Sequence, residues 1–248
     1  MNAILVKQCE AGVLRLCLNR PEKRNAFDRE LYAALTSAIA QADSDPAVRV
    51  VLLSGAGNCF SAGNDIVDFL DEPAHGRRTD PPLALLRAMR SCRKPIIAQV
   101  AGKAVGIGAT LLLHCDLVYA SERSTLVFPF VALGLSPEGG SSQLLPRLAG
   151  HIKAFEWLVL GEPCQAEDAV QVGMVNAVVP ADRLNETCLS AARRLAALDP
   201  EAVQRSRAQL QRASGPQLDA LMQAEMDQFE QLLEREAAQK ALQAFVRR

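Results

Sequence analysis

The chain has 248 residues, of which 49% are hydrophobic, and its formal net charge is −1. This composition is enough for one large core, and the near-neutral charge gives no electrostatic basis for binding nucleic acid or an anionic membrane. Its apolar runs are shorter than a membrane-spanning helix, and Lys7 and Glu10 interrupt the N-terminus, which therefore does not resemble a signal peptide.

The cysteines and histidines bear on the compartment and on metal binding. Seven cysteines, an odd number without a C-x-x-C pair, predict reduced thiols in a cytoplasmic protein rather than a disulfide or zinc framework. The three histidines stand far apart in the sequence, so no metal site is predicted.

The first part of the chain predicts two strands, a loop and a helix. Strands are expected at residues 4–8 and 13–18, the second with alternating apolar residues. The loop NRPEKRNAFD follows, and Asp28 at its end is a good N-cap for a helix to about residue 42. On this pattern alone, Lys23 and Arg24 in the loop are a solvated pair of charges.

Beyond this helix the sequence predicts strands alternating with short helices. A buried strand at 48–54 precedes a helix that starts near Asp65, and residues 67–82 form a polar loop. The other predicted strands are 96–100, 117–120, 125–128 and 175–179, and the other predicted helices are 83–91, 143–148, 151–160 and 166–171.

From residue 182 onward the pattern is helical, and Pro200 and Pro216 divide it into three pieces. The last piece, from about residue 217 to 246, carries an apolar stripe at helical spacing. The stripe consists of Leu218, Leu221, Met222, Phe229, Leu232 and Leu233. Because no further core is expected for the stripe to cover, we predict that a neighbouring subunit buries it.

Two glycine-containing turns follow predicted strands. The first lies in GAGNCFSAGNDI after strand 48–54, and the second in GKAVGIGATLLLHCD after strand 96–100. The first N–H groups of a helix lack backbone partners and favour negative charge, and glycine lets a ligand approach the main chain. The spacing matches neither the dinucleotide fingerprint nor the P-loop. Packing turns are the simpler interpretation of each, but together they can place two N–H groups on one oxygen.

Five motifs follow one another along the chain: RPEKRNAFD, CFSAGND, AGKAVGIGA, CDLVYAS and PEGGSSQLLPRLAG. From about Ile4 to the C-terminus the chain resembles the enoyl-CoA hydratase/isomerase, or crotonase, superfamily. The resemblance implies an α/β fold, with a spiral of repeated ββα turns over residues 1–195 that holds the acyl-CoA site. It also implies a helical oligomerisation region over residues 196–248, and a homotrimer or dimer of trimers.

The resemblance implies an oxyanion hole and a binding site for coenzyme A, which is part of the substrate; no separate cofactor is expected. The backbone N–H groups of Asn64 and Ile107 would bind the thioester oxygen. Lys23 and Arg24 would border the phosphates, Asp65 and Ile66 the adenine pocket, and Phe245 a neighbour's adenine site. The other residues implied in substrate binding are Ala26, Ala62, Gly63, Gly106, Gly108, Phe130 and Leu133.

The resemblance also carries an informative departure. Hydratases of this family use two glutamates, and these positions hold Thr110 and Phe130 here, which weighs against water addition. Glu138 instead matches the single glutamate of the Δ3,Δ2-enoyl-CoA isomerase branch, and partial burial would raise its pKa toward that of a useful base. Without the resemblance, Glu138 is a carboxylate favoured by a helix N-terminus and Asp65 is a helix cap.

The sequence therefore predicts a Δ3,Δ2-enoyl-CoA isomerase of fatty-acid oxidation with Glu138 as the catalytic acid/base. Two alternatives remain open at this point. One is a hydratase or another acyl-CoA enzyme of the same fold, and the other is an acyl-CoA-binding protein without catalytic activity.

Overall fold

The structure is a computed structural model that describes residues 4–70, 76–213, 215 and 217–246. The strands are β1 (Leu5–Glu10), β2 (Val13–Leu18), β3 (Val50–Gly55), β4 (Cys59–Ser61), β5 (Ile96–Val100), β6 (Lys103–Val105), β7 (Leu117–Ser121), β8 (Thr125–Val127), β9 (Cys164–Gln165) and β10 (Ala177–Val179). The helices are α1 (Arg29–Ser44), α2 (Ile66–Leu70), α3 (Asp80–Ser91), α4 (Ile107–Thr110), α5 (Ser141–Phe155), α6 (Ala166–Gln171), α7 (Ala181–Ala196), α8 (Pro200–Arg212), α9 (Leu218–Leu233) and α10 (Glu236–Val246).

The strands form two sheets, and successive repeats of the chain add to both. The larger sheet has the order β1-β2-β3-β5-β7-β10, with all pairs parallel except the β1–β2 hairpin. The smaller sheet has the order β4-β6-β8-β9, in which β4, β6 and β8 are parallel. The units β3-β4-α2 and β5-β6-α4 are two ββα turns, and β7-β8 begins a third. The predicted spiral α/β fold is confirmed.

The central strands of the larger sheet are apolar on both faces, as expected of parallel strands covered on both sides. On one face, residues of β2, β3 and β5 pack against α7 in a small cluster built around Val13, Leu52 and Ile97. On the other face they join the main core, which also takes in α1, α3, α4 and α9. The candidate site lies on this second side.

Several predicted element boundaries are wrong. The predicted division between helices 143–148 and 151–160 is present within α5, because Gly150, with φ of 77° and ψ of 161°, is not helical. Their ends differ from the prediction: the first piece begins at Ser141 and continues through Pro146, and the second leads into a π-helical turn at Glu156–Leu160. Part of the predicted loop 67–82 is helical, since α2 ends at Leu70 and α3 begins at Asp80. Residues 71–75 of that loop lie outside the described residues, as does Pro216.

The prediction for the C-terminal stripe is also wrong, because this chain buries the stripe in its own core. Leu218, Met222, Phe229 and Leu233 are all buried there. The ring of Phe229 meets Phe69 and Phe130 edge to face, at centroid distances of 5.9 and 6.4 Å. The predicted single helix is moreover two helices, α9 and α10. The stripe therefore gives no reason to expect a neighbouring subunit, and the trimer stays a prediction. The division into a spiral core up to residue 195 and a helical region from residue 196 also stays a prediction.

The described residues offer neither a membrane-spanning helix nor a metal-binding cluster. Among the described residues, no helix is both long and apolar enough to cross a membrane. Over the same part of the chain, His, Cys, Asp and Glu side chains form no group of three that could hold a metal ion.

Candidate active site

The two glycine-containing turns are in contact at the ends of β4 and β6. Gly63 has φ of 88°, and a Cβ atom there would lie 2.8 Å from the carbonyl oxygen of Val105. A Cβ atom on Gly108 would lie 2.8 Å from the Cβ atom of Ser61. Because no side chain fits at either position, glycine lets the two turns pack backbone against backbone.

The backbone geometry directs the Asn64 amide away from its neighbouring segment. Phe27 and Asn64 form an isolated parallel bridge, in which Phe27 N donates to the Gly63 carbonyl at 2.7 Å and Asp65 N donates to the Phe27 carbonyl at 2.8 Å. Asn64 lies between the two residues that bond to Phe27, so its own N–H group points away from Phe27. Among the described residues, the Asn64 amide has no acceptor.

The second predicted amide begins helix α4. Gly106 precedes it with φ of 53° and ψ of −122°, a conformation suited to glycine, and Ile107 is the first helical residue. Its N–H group belongs to the first turn, which has no intrahelical partner, and no acceptor for it lies in the described part of the chain. The Asn64 and Ile107 amides are therefore both available to a ligand at the contact between the turns.

Glu138 lies buried beside the same short helix, with only 3% of its surface exposed. Thr110 Oγ1 donates to Glu138 Oε1 at 2.5 Å, while Oε2 has no hydrogen-bond partner among the described residues. Thr110 follows Ile107 by one helical turn, a rise of about 4.5 Å along the axis. One carboxyl oxygen is thus fixed by the helix that the Ile107 amide begins, and the other is free to act on a ligand.

Burial raises the pKa of Glu138 from 4.5 to about 8. The Thr110 hydrogen bond opposes this shift, and the negative charge of Glu225 adds to it. A carboxyl group with this pKa exists in both protonation states near neutral pH, as a proton-transfer group must. Of the two interpretations of Glu138, the buried geometry favours the acid/base over a simple carboxylate at a helix end.

Hydrogen bonds hold the turn that carries Glu138. Ser141 donates to the Glu138 carbonyl from its amide at 3.2 Å and from its hydroxyl at 2.6 Å. His114 Nε2 lies 2.7 Å from the Gly139 carbonyl oxygen. Burial lowers the pKa of His114 to about 4, so the imidazole is neutral at physiological pH and donates from Nε2. Neither contact is visible in the sequence pattern.

Tyr32 on α1 is a site residue that sequence reasoning missed. Its hydroxyl donates to Asn64 Oδ1 at 2.5 Å, and the side chain is buried. Burial raises the pKa of Tyr32 well above 10, and the charge of Glu138 adds to the effect, so the phenol is also within electrostatic reach of Glu138. The helical pattern of α1 indicates only that position 32 faces the core.

Replacing Tyr32 with phenylalanine should loosen the Asn64 turn. We expect a loss of about 1–2 kcal/mol in the free energy of unfolding, because Asn64 Oδ1 loses its donor in a partly buried place. Turnover should fall roughly 3- to 10-fold as the amide becomes less well fixed. Chemical denaturation and steady-state kinetics measure the two effects. Tyr119→Phe, at the chain's other tyrosine, is the matched control; equal losses in both variants would contradict a role for Tyr32 at the turn.

Asp65 has a structural role. Arg20 Nη2 lies 2.9 Å from Asp28 Oδ2 and 3.1 Å from Asp65 Oδ2. Asp65 Oδ1 accepts from Val67 N at 3.2 Å, which is the bond of a cap at the start of α2. The structure thus bears out the helix-cap interpretation, and a contact of Asp65 with adenine stays a prediction.

The cations predicted for the coenzyme A phosphates lie beside the first turn. Lys23 and Arg24 are exposed, and the Arg24 carbonyl accepts from Ala62 N at 2.9 Å. The positive charges of Arg24 and Lys103 both lower the pKa of Cys59, against the larger raising effect of burial, so the two cations are near the same thiol. Lys103 is exposed at the start of β6 and was missed, although the motif AGKAVGIGA contains it.

The remaining predicted residues are spread more widely. Ala26 and Phe130 are buried, and Ala62, Ile66 and Leu133 are half-buried. Phe130 packs against Phe229 of α9. Phe245 is 59% exposed on α10, so the structure does not bring it into this site, and its contact with a neighbouring subunit stays a prediction.

Comparison with known proteins is consistent with this geometry. A family model described as enoyl-CoA hydratase/isomerase matches residues 8–248. The solved structure of Pseudomonas aeruginosa OdaA superposes with a TM-score of 0.93 at 42% identity, covering 100% of both chains.

The curated relatives carry different activities in their names. The 1,2-epoxyphenylacetyl-CoA isomerase of Escherichia coli is 38% identical over 79% of this chain and 77% of its own length. Human enoyl-CoA delta isomerase 2 is 35% identical over 88% of this chain, which spans 56% of that protein. The 2,3-dehydroadipyl-CoA hydratase of Escherichia coli is 31% identical over 100% of this chain and 97% of its own length.

Proposed function

This chain belongs to the enoyl-CoA hydratase/isomerase family, and we propose that it is a Δ3,Δ2-enoyl-CoA isomerase of fatty-acid oxidation. The observation that carries the proposal is the placement of Glu138. Its carboxyl is buried, has one oxygen without a hydrogen-bond partner among the described residues, and is bonded to Thr110 on the short helix that begins with the Ile107 amide.

The proposed reaction moves one proton and one double bond. Glu138 removes a proton from C2 of a 3-enoyl thioester, and the electron pair of that C–H bond passes to the thioester oxygen as an enolate. The amides of Asn64 and Ile107 donate to this oxygen, and each such donor is worth roughly 3–4 kcal/mol in the transition state. The enolate then takes the same proton from Glu138 at C4, which leaves the double bond between C2 and C3.

Two features disfavour water addition. Hydration needs one group to activate water and another to deliver a proton, and the family's two positions for them hold Thr110 and Phe130. The Thr110 hydroxyl donates to Glu138, and the Phe130 ring packs against Phe229. Of the family's catalytic positions, that of Glu138 alone holds a carboxyl here, which is enough for a proton shift between two carbons.

Rates on alternative thioesters test this proposal. We expect the wild type to convert a 3-enoyl-CoA to its conjugated 2-enoyl product, followed by absorbance, much faster than it hydrates a 2-enoyl-CoA. Faster hydration would favour the activity named for the Escherichia coli hydratase relative. Turnover of 1,2-epoxyphenylacetyl-CoA belongs in the same panel, since the relative named for it is 38% identical. Tight binding without any turnover would support an acyl-CoA-binding protein.

Binding of coenzyme A should protect the fold. A saturating acyl-CoA at 100 times its Kd stabilises the folded state by about 2.7 kcal/mol and raises the Tm accordingly. Arg24→Ala and Lys103→Ala should each weaken binding roughly tenfold or more, because each removes a charge-assisted contact with phosphate. Differential scanning fluorimetry with a titration of the thioester measures both effects.

Arg183→Ala is the matched control, since Arg183 is exposed on α7, on the other face of the larger sheet. This variant should bind as the wild type does. If Arg24→Ala and Lys103→Ala bind equally well, the phosphate site is elsewhere.

A further inference from the structure

A second buried carboxylate lies close to Glu138, on helix α9. Glu225 has only 6% of its surface exposed, although it is charged and lies far along the chain from the site. Its Oε2 accepts from Gly140 N at 2.5 Å, and its Oε1 accepts from Ser142 N at 3.2 Å and from Ser142 Oγ at 2.5 Å. All of these donors belong to the turn that follows Glu138.

The turn needs such an acceptor for a physical reason. The first N–H groups of α5 have no intrahelical partners, and the cap position is Gly140, which has φ of 75° and no side chain. A capping oxygen must therefore come from elsewhere in the fold, and Glu225 supplies two. A carboxylate at this end of a helix is also favoured by the helix dipole. Since Ser141 binds the Glu138 carbonyl, the position of the α5 start fixes the backbone of Glu138.

Among the described residues, Glu225 is the charged group whose charge acts directly on Glu138. The groups that face Glu138 are Tyr32 on α1, His114 through the Gly139 carbonyl, and Glu225 on α9. The pKa of Tyr32 is raised well above 10 and that of His114 is lowered to about 4, so both are neutral. From α3, the charge of Arg90 acts on His114.

The two carboxyls differ in how well their charged forms are held. Burial raises the pKa of Glu225, but three hydrogen bonds to its oxygens oppose the shift. Glu138 has one such bond, from Thr110. Of two nearby carboxyls, the better-bonded one ionises first, and its charge then disfavours ionisation of the other.

We propose that Glu225 is a positioning residue for the isomerase reaction: it fixes the turn that carries Glu138, and its negative charge sets the pH range in which Glu138 accepts a proton. This inference rests on the proposed function, because it requires that Glu138 is the base. Glu225 touches neither the two amides nor the free oxygen of Glu138, so it acts through the turn and through its charge.

The test is the pH dependence of kcat/KM for isomerisation between pH 5 and 9.5. In the wild type the rate should rise with pH through the pKa of Glu138, about 8, because the carboxylate is the active form. In Glu225→Gln the neighbouring charge is gone, so the rise should move to lower pH by on the order of half a unit or more. The plateau should fall roughly 3- to 10-fold, since an amide cannot accept from both N–H groups.

Two further variants separate charge from structure. Glu225→Asp keeps the charge and shortens the side chain, so we expect a lower plateau with the rise at the wild-type pH. Glu230→Gln is the matched control, because Glu230 is a shielded carboxylate on the same helix that binds Thr79 and not the Glu138 turn. Its rise in rate should also stay at the wild-type pH.

The inference is overturned if kcat/KM of Glu225→Gln rises at the same pH as that of the wild type. It is also overturned if the rise in kcat/KM of Glu230→Gln moves to lower pH by the same amount. Glu138→Gln is measured beside these variants: if it keeps the wild-type rate, the proposed function fails, and if it is inactive while Glu225→Gln does not shift, only this inference fails. Should Glu225→Gln not fold, Ser142→Ala removes one of the three hydrogen bonds to Glu225. It should lower the plateau a few-fold, and an unchanged plateau would overturn the positioning role.

Discussion

The Glu138→Gln variant is expected to isomerise a 3-enoyl-CoA roughly 100 to 10,000 times more slowly than the wild type. Glutamine keeps the size of the side chain and can still bond to Thr110 Oγ1, but it cannot accept the proton from C2. The KM should change little, since the amides of Asn64 and Ile107 remain in place. Absorbance of the conjugated product gives the rate directly.

The matched control is Glu122→Gln, at a half-exposed glutamate after β7 that should be replaceable without loss. A Glu138→Gln enzyme with the wild-type rate would contradict the assignment.

The Glu138→Gln variant should also differ from the wild type in the pH dependence of its stability. The pKa of Glu138 is about 8 in the folded state against a reference value of 4.5, so between these values the folded state binds more protons than the unfolded state.

Stability of the wild type should therefore decrease as pH rises from about 4.5 to about 8, with the full loss present above that range. Glutamine does not titrate, so Glu138→Gln should lack this part of the pH dependence and should be more stable than the wild type at pH 8. A Tm series over pH 4 to 9 for both proteins measures the difference.

Gly63→Ala is expected to lower turnover roughly 100- to 1,000-fold, the loss associated with one oxyanion donor. The added Cβ atom would lie 2.8 Å from the Val105 carbonyl oxygen, so the two turns must separate, and φ of 88° is unfavourable for alanine. Both effects displace the Asn64 amide relative to the Ile107 amide. Glu138 is untouched, so its protonation should be unchanged while kcat falls.

Gly173→Ala separates backbone strain from the contact between the turns. Gly173 has φ of 77°, and a Cβ atom there would meet nothing within 4 Å. This control should lose stability without a comparable loss of turnover. If Gly63→Ala and Gly173→Ala have similar rates, the contact between the turns does not place the two amides.

The fold and the glycine turns could be predicted from the sequence because their signals are local. Apolar runs mark the parallel strands, and Gly63, Gly106 and Gly108 occupy positions where the backbone conformation or close packing requires glycine. The motif PEGGSSQLLPRLAG indicates Glu138 in the same way. Its burial and its raised pKa depend on elements that come together only in the folded chain.

The partners of Glu138 could not be predicted because they come from distant segments. The resemblance explains Thr110 only as the replacement of a hydratase glutamate, yet its hydroxyl donates to the Glu138 carboxyl. A weak signal for Glu225 was present: it lies within the apolar stripe of α9, three residues after Met222 and four before Phe229. A charge on a buried helix face must be paired or hydrogen-bonded, so this position predicts polar donors that face α9, but it does not identify them.

If the shielded Glu138 carboxyl carries the proton from C2 to C4, an isotope at C2 should follow the same path. A 3-enoyl-CoA deuterated at C2 is converted in ordinary water under single-turnover conditions, and the product is analysed by NMR and mass spectrometry. Because Glu138 is 97% buried, with one oxygen bonded to Thr110, we predict that part of the C2 deuterium appears at C4. A product whose new C4 hydrogen comes from water alone would contradict it.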